Sequence, residues 1–211
     1  MGFLENITVG TVLHEIGQVM KIPCMVILIL LVIVAVWQLG DFLVELFTER
    51  RTRQKNVEEL LDRLRTGGKE HLSETIKKSA LPRFEKKMLE KLAESGDWSQ
   101  SERTALAQKY LTDEEGRYER RTAVCEILAK QGPIYGLLGT LIPLGPGIIA
   151  LSQGDTETLS EAIGIAFDTT IAGLLAAAVG SIISNIRNRW YDGYLADFEA
   201  LLGYVLEEVS E

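Results

Sequence analysis

The feature that most constrains this chain is the placement of its charges. Ile22 to Leu39 carries none, Gly132 to Gly154 carries none, and Leu159 to Ile186 carries only Glu161 and Asp168. A helix rises about 1.5 Å per residue, so roughly 20 apolar residues cross a hydrocarbon core of about 30 Å. Each run is long enough. Backbone polar groups in lipid must be satisfied within the segment, which makes helices the natural form of such runs. Overall composition, 46% hydrophobic and 25% charged, is near the globular average and conceals this segregation.

The expected fold class is therefore all-α: an integral membrane protein with three transmembrane helices and a helical cytoplasmic insert. The expected segments are an extracytoplasmic stretch at 1–21, a first span at 22–45, a helical cytoplasmic domain at 46–131, a second span at 132–152, an extracytoplasmic turn at 153–158, a third span at 159–185 and a cytoplasmic C-terminal helix at 186–211. In the first run, IPCMVILILLVIVAVWQLG, Trp37 stands near one end, where an aromatic anchor belongs. A cleavable signal peptide is the alternative, since Lys21 precedes the run. The preceding stretch is not basic, however, and Asp41, Glu45 and TERRTRQK follow in place of a small-residue cleavage site.

Lys and Arg set the orientation. Residues 46–130 hold nineteen, Arg187 and Arg189 add two, and only Lys21 lies at the other mouth of the first span. The positive-inside rule puts the insert and the C-terminus in the cytoplasm, and the N-terminus and the 153–158 turn outside. A net charge of −8 leaves no basic excess for nucleic acid. Cys24 and Cys125 lie in different compartments of this topology, so no disulfide is expected. With His14 and His71 they make no metal site, and no cofactor is expected.

Within the insert, NVEELLDRLR places Val57, Leu60, Leu61 and Leu64 on one helical face before Thr66-Gly67-Gly68 stops it. ALPRFEKKMLEKLAESG repeats the pattern with Phe84, Met88 and Leu92, closing at Gly96. Ser99 and Glu102 fit a capping box, and DEEGRYERRTAVCEILAK reads as a helix running on into the second span. No paired constellation with a nucleophile or metal is present, so an enzyme is not expected.

The spans read as packing surfaces. In the third, Thr169, Gly173, Ala177 and Ser181 recur every four residues, as do Asp168, Ala172, Ala176, Gly180 and Ser184; the second adds Gly132, Gly136 and Gly139. Small residues at this spacing let helices approach closely in a bilayer. Gly136, Gly139, Gly173 and Ala177 are the helix-packing candidates, and a homo-oligomer is expected because three spans offer more small faces than one chain can cover. Thr140, Thr169, Thr170 and Asp168 are the ion-pathway candidates. For each threonine the alternative is a back-bond to a carbonyl one turn earlier. An acid at this depth costs a few kcal/mol at least to keep charged, which marks it as a functional candidate. Asp168 and Thr170 stand about 200° apart on a helix, so one faces a lumen or partner and the other a packed helix.

GPIYGLLGTLIPL (132–144) and AFDTTIAGLLAAAVGSIISN (166–185) resemble the MotA/TolQ/ExbB proton-channel family, with its Gly-Leu-x-Gly-Thr in the second span and Thr-x-x-Gly-Leu-x-Ala-Ala in the third. The three-span layout resembles the TolQ/ExbB branch; the insert is too short for a four-span MotA-like subunit. The resemblance implies an ion channel subunit, with protons as the ion, in an ion-motive-force-driven motor or energiser. It implies a homopentamer around the single membrane helix of an ExbD/TolR/MotB-like partner, with Thr140 and Thr170 matching the two motif threonines. The chain departs from the pattern at Ile165, where the ExbB-like branch has a glutamate, and at Pro143 and Pro146. A non-conducting oligomeric scaffold would explain the small faces and the insert equally well, but not an acid at mid-depth.

Overall fold

A computed structural model describes residues 9–48, 60–62, 64, 74–79 and 81–210. Its helices include α1 (Val9–Thr48), α2 (Arg83–Ala93), α3 (Gln100–Ser152) and α4 (Thr156–Ser210), and no strand occurs among the described residues. Of these, α1, α3 and α4 are long and apolar enough to cross a membrane, as the charge-poor runs require. Most of the expected 56–65 helix, with Val57 and the Thr66-Gly67-Gly68 stop, lies outside the described residues, as do His71 and the side chain of His14.

The expected capping box opens α3. Ser99 N–H donates to Glu102 Oε2 (2.9 Å) while Glu102 N–H donates to Ser99 Oγ (3.3 Å). From there α3 continues without a break through Pro133, Pro143 and Pro146. Its end is a Schellman motif. Asp155 N–H reaches back to Ala150 O and Gly154 N–H to Leu151 O, both at 3.0 Å, with Gly154 at φ +83°, which a side chain would strain. Asp155 then caps α4 by accepting from Thr158 N–H (3.1 Å) and the Thr158 hydroxyl, which hold its carboxyl below the usual carboxylate range. Three residues, Gln153, Gly154 and Asp155, thus turn the chain and start the return helix.

The chain forms two compact units: Met1–Gly40 with Ala123–Ser184, and Asp41–Thr122 with Asn185–Glu211. The first unit has little interior. Ala35, Leu128 and Ala176 form a small core, and the Cys24 thiol donates to Tyr135 O. Most of its large side chains point outward: Ile22 is 73% exposed, Trp37 75% and Phe167 66%. So much uncovered apolar surface suits lipid rather than water.

The second unit has a conventional core. Leu89 and Leu92 of α2 meet Phe198, Leu201 and Val205 of α4, and Leu60 and Leu64 join the same cluster. Phe84 departs from the expected face. Met88 and Leu92 are buried, but Phe84 is 38% exposed, with the Arg117 guanidinium 5.0 Å from its ring centroid. Its ring serves as a cation–π platform rather than as core.

A buried charge network closes this unit. Arg187, 2% exposed, donates through Nε to Glu45 Oε2 (2.8 Å) and through a terminal nitrogen to Asp41 Oδ2 (2.6 Å). The Tyr191 hydroxyl donates to Glu45 Oε1 at 2.7 Å, and its ring stacks on Tyr118 with centroids 4.4 Å apart. Burial opposes the Arg187 cation, yet Asp41 and Glu45 more than offset it and hold its pKa above the ordinary value. Burial, and then the bond to Glu45, push the Tyr191 phenol upward.

Replacing Arg187 by Leu leaves Glu45 buried without its cation, so we expect about 3–5 kcal/mol of destabilisation in detergent unfolding. Tyr191→Phe removes the bond to Glu45, about 1.5–3 kcal/mol for a bond to a charged group, together with the hydroxyl's contact with Arg121. Because the folded state holds the Tyr191 proton more tightly than the unfolded chain, its contribution is complete below about pH 10 and is lost as pH rises beyond that. The Phe variant should therefore show a shallower alkaline loss of stability, and identical slopes would refute the assignment.

Candidate functional site

The site candidates lie on α3 and α4 in the first unit. The two helices run antiparallel along a seam of small residues. Gly180 lies against Cys125 and Leu128, Gly173 against Gly132 and Gly136, Thr169 against Gly139, and Ala162 against Gly147. The approach is close. A Cβ built on Gly173 would stand 2.5 Å from Gly132 O and 2.8 Å from Gly136 Cα. One on Gly132 would stand 2.6 Å from Gly173 O and 3.0 Å from the Ala177 Cβ. One on Gly139 would stand 2.6 Å from the Thr169 Cβ, so the Thr169 side chain occupies the space that Gly139 leaves.

Helix rotation places the other two threonines. Thr140 follows Gly139 and Thr170 follows Thr169, each about 100° on from a seam residue. Because the helices are antiparallel, both rotations lead to the same side of the seam. Thr140 and Thr170 therefore flank it together, both half-buried.

All three hydroxyls make the back-bond that spacing allowed. Thr140 Oγ1 donates to Leu137 O (2.6 Å), Thr170 Oγ1 to Ala166 O (3.0 Å), and Thr169 Oγ1 is shared between Ile165 O (2.9 Å) and Ala166 O (3.0 Å). A hydroxyl has one proton to donate and two lone pairs. With the proton spent on the backbone, Thr140 and Thr170 present acceptor oxygen outward.

Asp168 is not brought to this group. Its carboxyl lines an apolar groove of about 340 Å³ between α1 and α4, with Val32, Ala35, Val36, Ala172 and Leu175 among the walls. It is exposed and is the sole ionisable residue of that groove. The reason is rotational: about 200° from Thr170, it points to the side of α4 that faces α1. The two small-residue faces of α4 thus both meet neighbours within the chain, one on α3 and one on α1. Small residues alone therefore do not call for a second copy. What lacks a partner is a set of bulky side chains, Leu137, Leu141, Ile171 and Leu174 among them, each more than half exposed.

Sequence reasoning underweighted Gly147 and Ala162, which extend the seam toward the turn, and Ala35, which meets α4 through one residue of an otherwise bulky helix. Gly147 stood beside Pro146, where a turn signal masked a packing signal. Among the described residues no group of His, Cys, Asp and Glu could hold a metal ion.

Three apolar helices, two of them joined as a close antiparallel hairpin, define a multi-pass helical membrane protein. The profile of the MotA/TolQ/ExbB proton channel family matches residues 76–200, and the chain belongs to that family. It is also similar to biopolymer transport protein exbB1 of Vibrio cholerae serotype O1, 29% identical over 100 residues. That alignment covers 46% of this chain and 44% of the relative, so the chain matches less than half of that protein's length.

Gly173→Ala should force backbone apart and lower the melting temperature in detergent, with a loss of about 1–3 kcal/mol from overpacking. Gly164→Ala meets nothing within 4 Å and should leave it unchanged or raise it. Equal melting of the two variants would contradict a close seam.

Proposed function

We propose that this chain is the channel subunit of an ion-motive-force-driven energiser, conducting protons. Several copies, five by the family resemblance, surround the single membrane helix of an ExbD/TolR/MotB-like partner. In this reading the N-terminal side and the 153–158 turn are extracytoplasmic, and the second unit and the C-terminus are cytoplasmic, as the Lys and Arg distribution favours. Gly136, Gly139, Gly173 and Ala177 hold the hairpin closed. Thr140 and Thr170 face the lumen, and Thr169 braces the seam beneath them. Asp168 is the acid on the α1 side, facing a neighbouring helix rather than the lumen.

The observation that carries this reading is the hydroxyl pair. Two acceptor oxygens stand on one side of a rigid seam, in a protein with few other polar groups at that depth. Water or a protonated partner carboxyl can donate to them, so a proton passing between partner and water need not be stripped of every hydrogen bond. Turning or shifting of one subunit set against the other would convert that passage into work.

Valine matches threonine in shape and removes the oxygen. With the partner co-reconstituted in liposomes, Thr140→Val and Thr170→Val should each lower proton flux about tenfold, equivalent to about 1.4 kcal/mol. The mass of the detergent-extracted complex should not change. Unaltered flux in both variants would sink the lumen assignment. A scaffold without conduction predicts no flux even from the unmodified complex.

A further inference from the structure

The second unit presents two helix faces of opposite charge that its own fold leaves open. On α3, Lys109, Gly116, Arg117 and Arg120 share a face, the last three lining a groove of about 600 Å³. Arg120 is exposed, and Arg117 is held over Phe84 with its Glu114 contact at 3.5 Å. Asp113, one helical turn before Arg117, stands 3.9 Å from Lys109, while Glu115 and Glu119 lie toward the other side of the helix. On α4, Asp192, Gly193, Ala196, Glu199 and Gly203 form an exposed face of small and acidic residues, with Arg189 at its N-terminal end. A Cβ on Gly116, Gly193 or Gly203 would meet nothing within 4 Å. Each face thus combines room for a close helix with a net charge opposite to the other's.

We infer that these faces dock on one another between adjacent copies, α3 of one protomer against α4 of the next. This deepens the ring reading of the previous section and rests on it. Two different surfaces meeting head to tail generate a ring when the rotation closes. Copies sharing one bilayer orientation stand at the same height, so the register can be read from a single chain. Tyr118 stacks on Tyr191, and Arg103 donates to Val209 O, so residues of α3 and α4 at one level have numbers summing to about 309–312. On that register Gly116 faces the next copy's helix near Gly193, where both backbones are bare. Arg117 and Arg120 come within side-chain reach of Asp192, and Lys109 of Glu199. Charged pairs ringing a close glycine contact fix both partner and register.

Cysteine pairing tests this directly. A disulfide needs Cβ atoms about 3.8 Å apart. A Cβ on Gly116 or Gly193 faces open space within its own chain, and a bond that joins two copies separates from an intrachain bond by its doubled mass. Membranes containing Gly116→Cys/Gly193→Cys should give a ladder of covalent multimers on mild oxidation, whereas either single variant should stop at dimers. Arg117→Glu/Arg120→Glu should weaken assembly, and adding Asp192→Arg should restore it. A native mass showing several copies, with no ladder and no charge effect, would overturn this interface and leave the ring standing. A single-copy mass for the unmodified protein would overturn both.

Discussion

The contact between Gly173 and the Gly132–Gly136 turn fixes the rest of the hairpin. In lipid the hydrophobic effect gives helices no reason to associate, since acyl chains are as apolar as leucine. What remains is van der Waals contact between backbones, which falls away steeply with separation. A single methyl at Gly173 would enter the space of Gly132 O. The distance set there, together with the Schellman turn at Gly154, decides which residues of α3 and α4 lie inside the seam, beside it or away from it.

The two units are stabilised by different physics. The first has a small apolar core and a broad exposed apolar surface, with helix contact carried by missing side chains. The second buries leucines, a phenylalanine and an ion-paired arginine as a soluble domain does. Arg187, Glu45 and Asp41 sit immediately after charge-free or charge-poor runs in sequence. Placing paired charges there satisfies groups that neither lipid nor an apolar core would accept unpaired.

Much of this was legible in the sequence, for physical reasons. Charge-free or charge-poor runs of about 20 residues have few other solutions, so the three helices followed from length and composition. The Ser99–Glu102 cap is a local hydrogen-bond pattern and reads locally. The Gly and Thr positions of α3 and α4 could be named, because four-residue spacing shows which residues share a face. Spacing does not show which helix covers that face. Asp168 was therefore visible as an unusual acid, but its place in the α1 groove was not. The Arg187–Glu45 pair joins residues 142 apart and left no local signal beyond charges flanking two spans. Phe84 matched the helical period of Met88 and Leu92 yet surfaces, since period alone cannot weigh a cation against a core.

The back-bonded state of Thr140 and Thr170 bears on selectivity. Each hydroxyl hydrogen is turned into its own helix, so in the proposed lumen a passing species would meet the negative end of the O–H dipole. At these two residues an anion would find no hydroxyl proton to replace its lost hydration, while hydronium or a metal cation would find electron pairs. A passage lined in this way would disfavour anions without any fixed charge of its own.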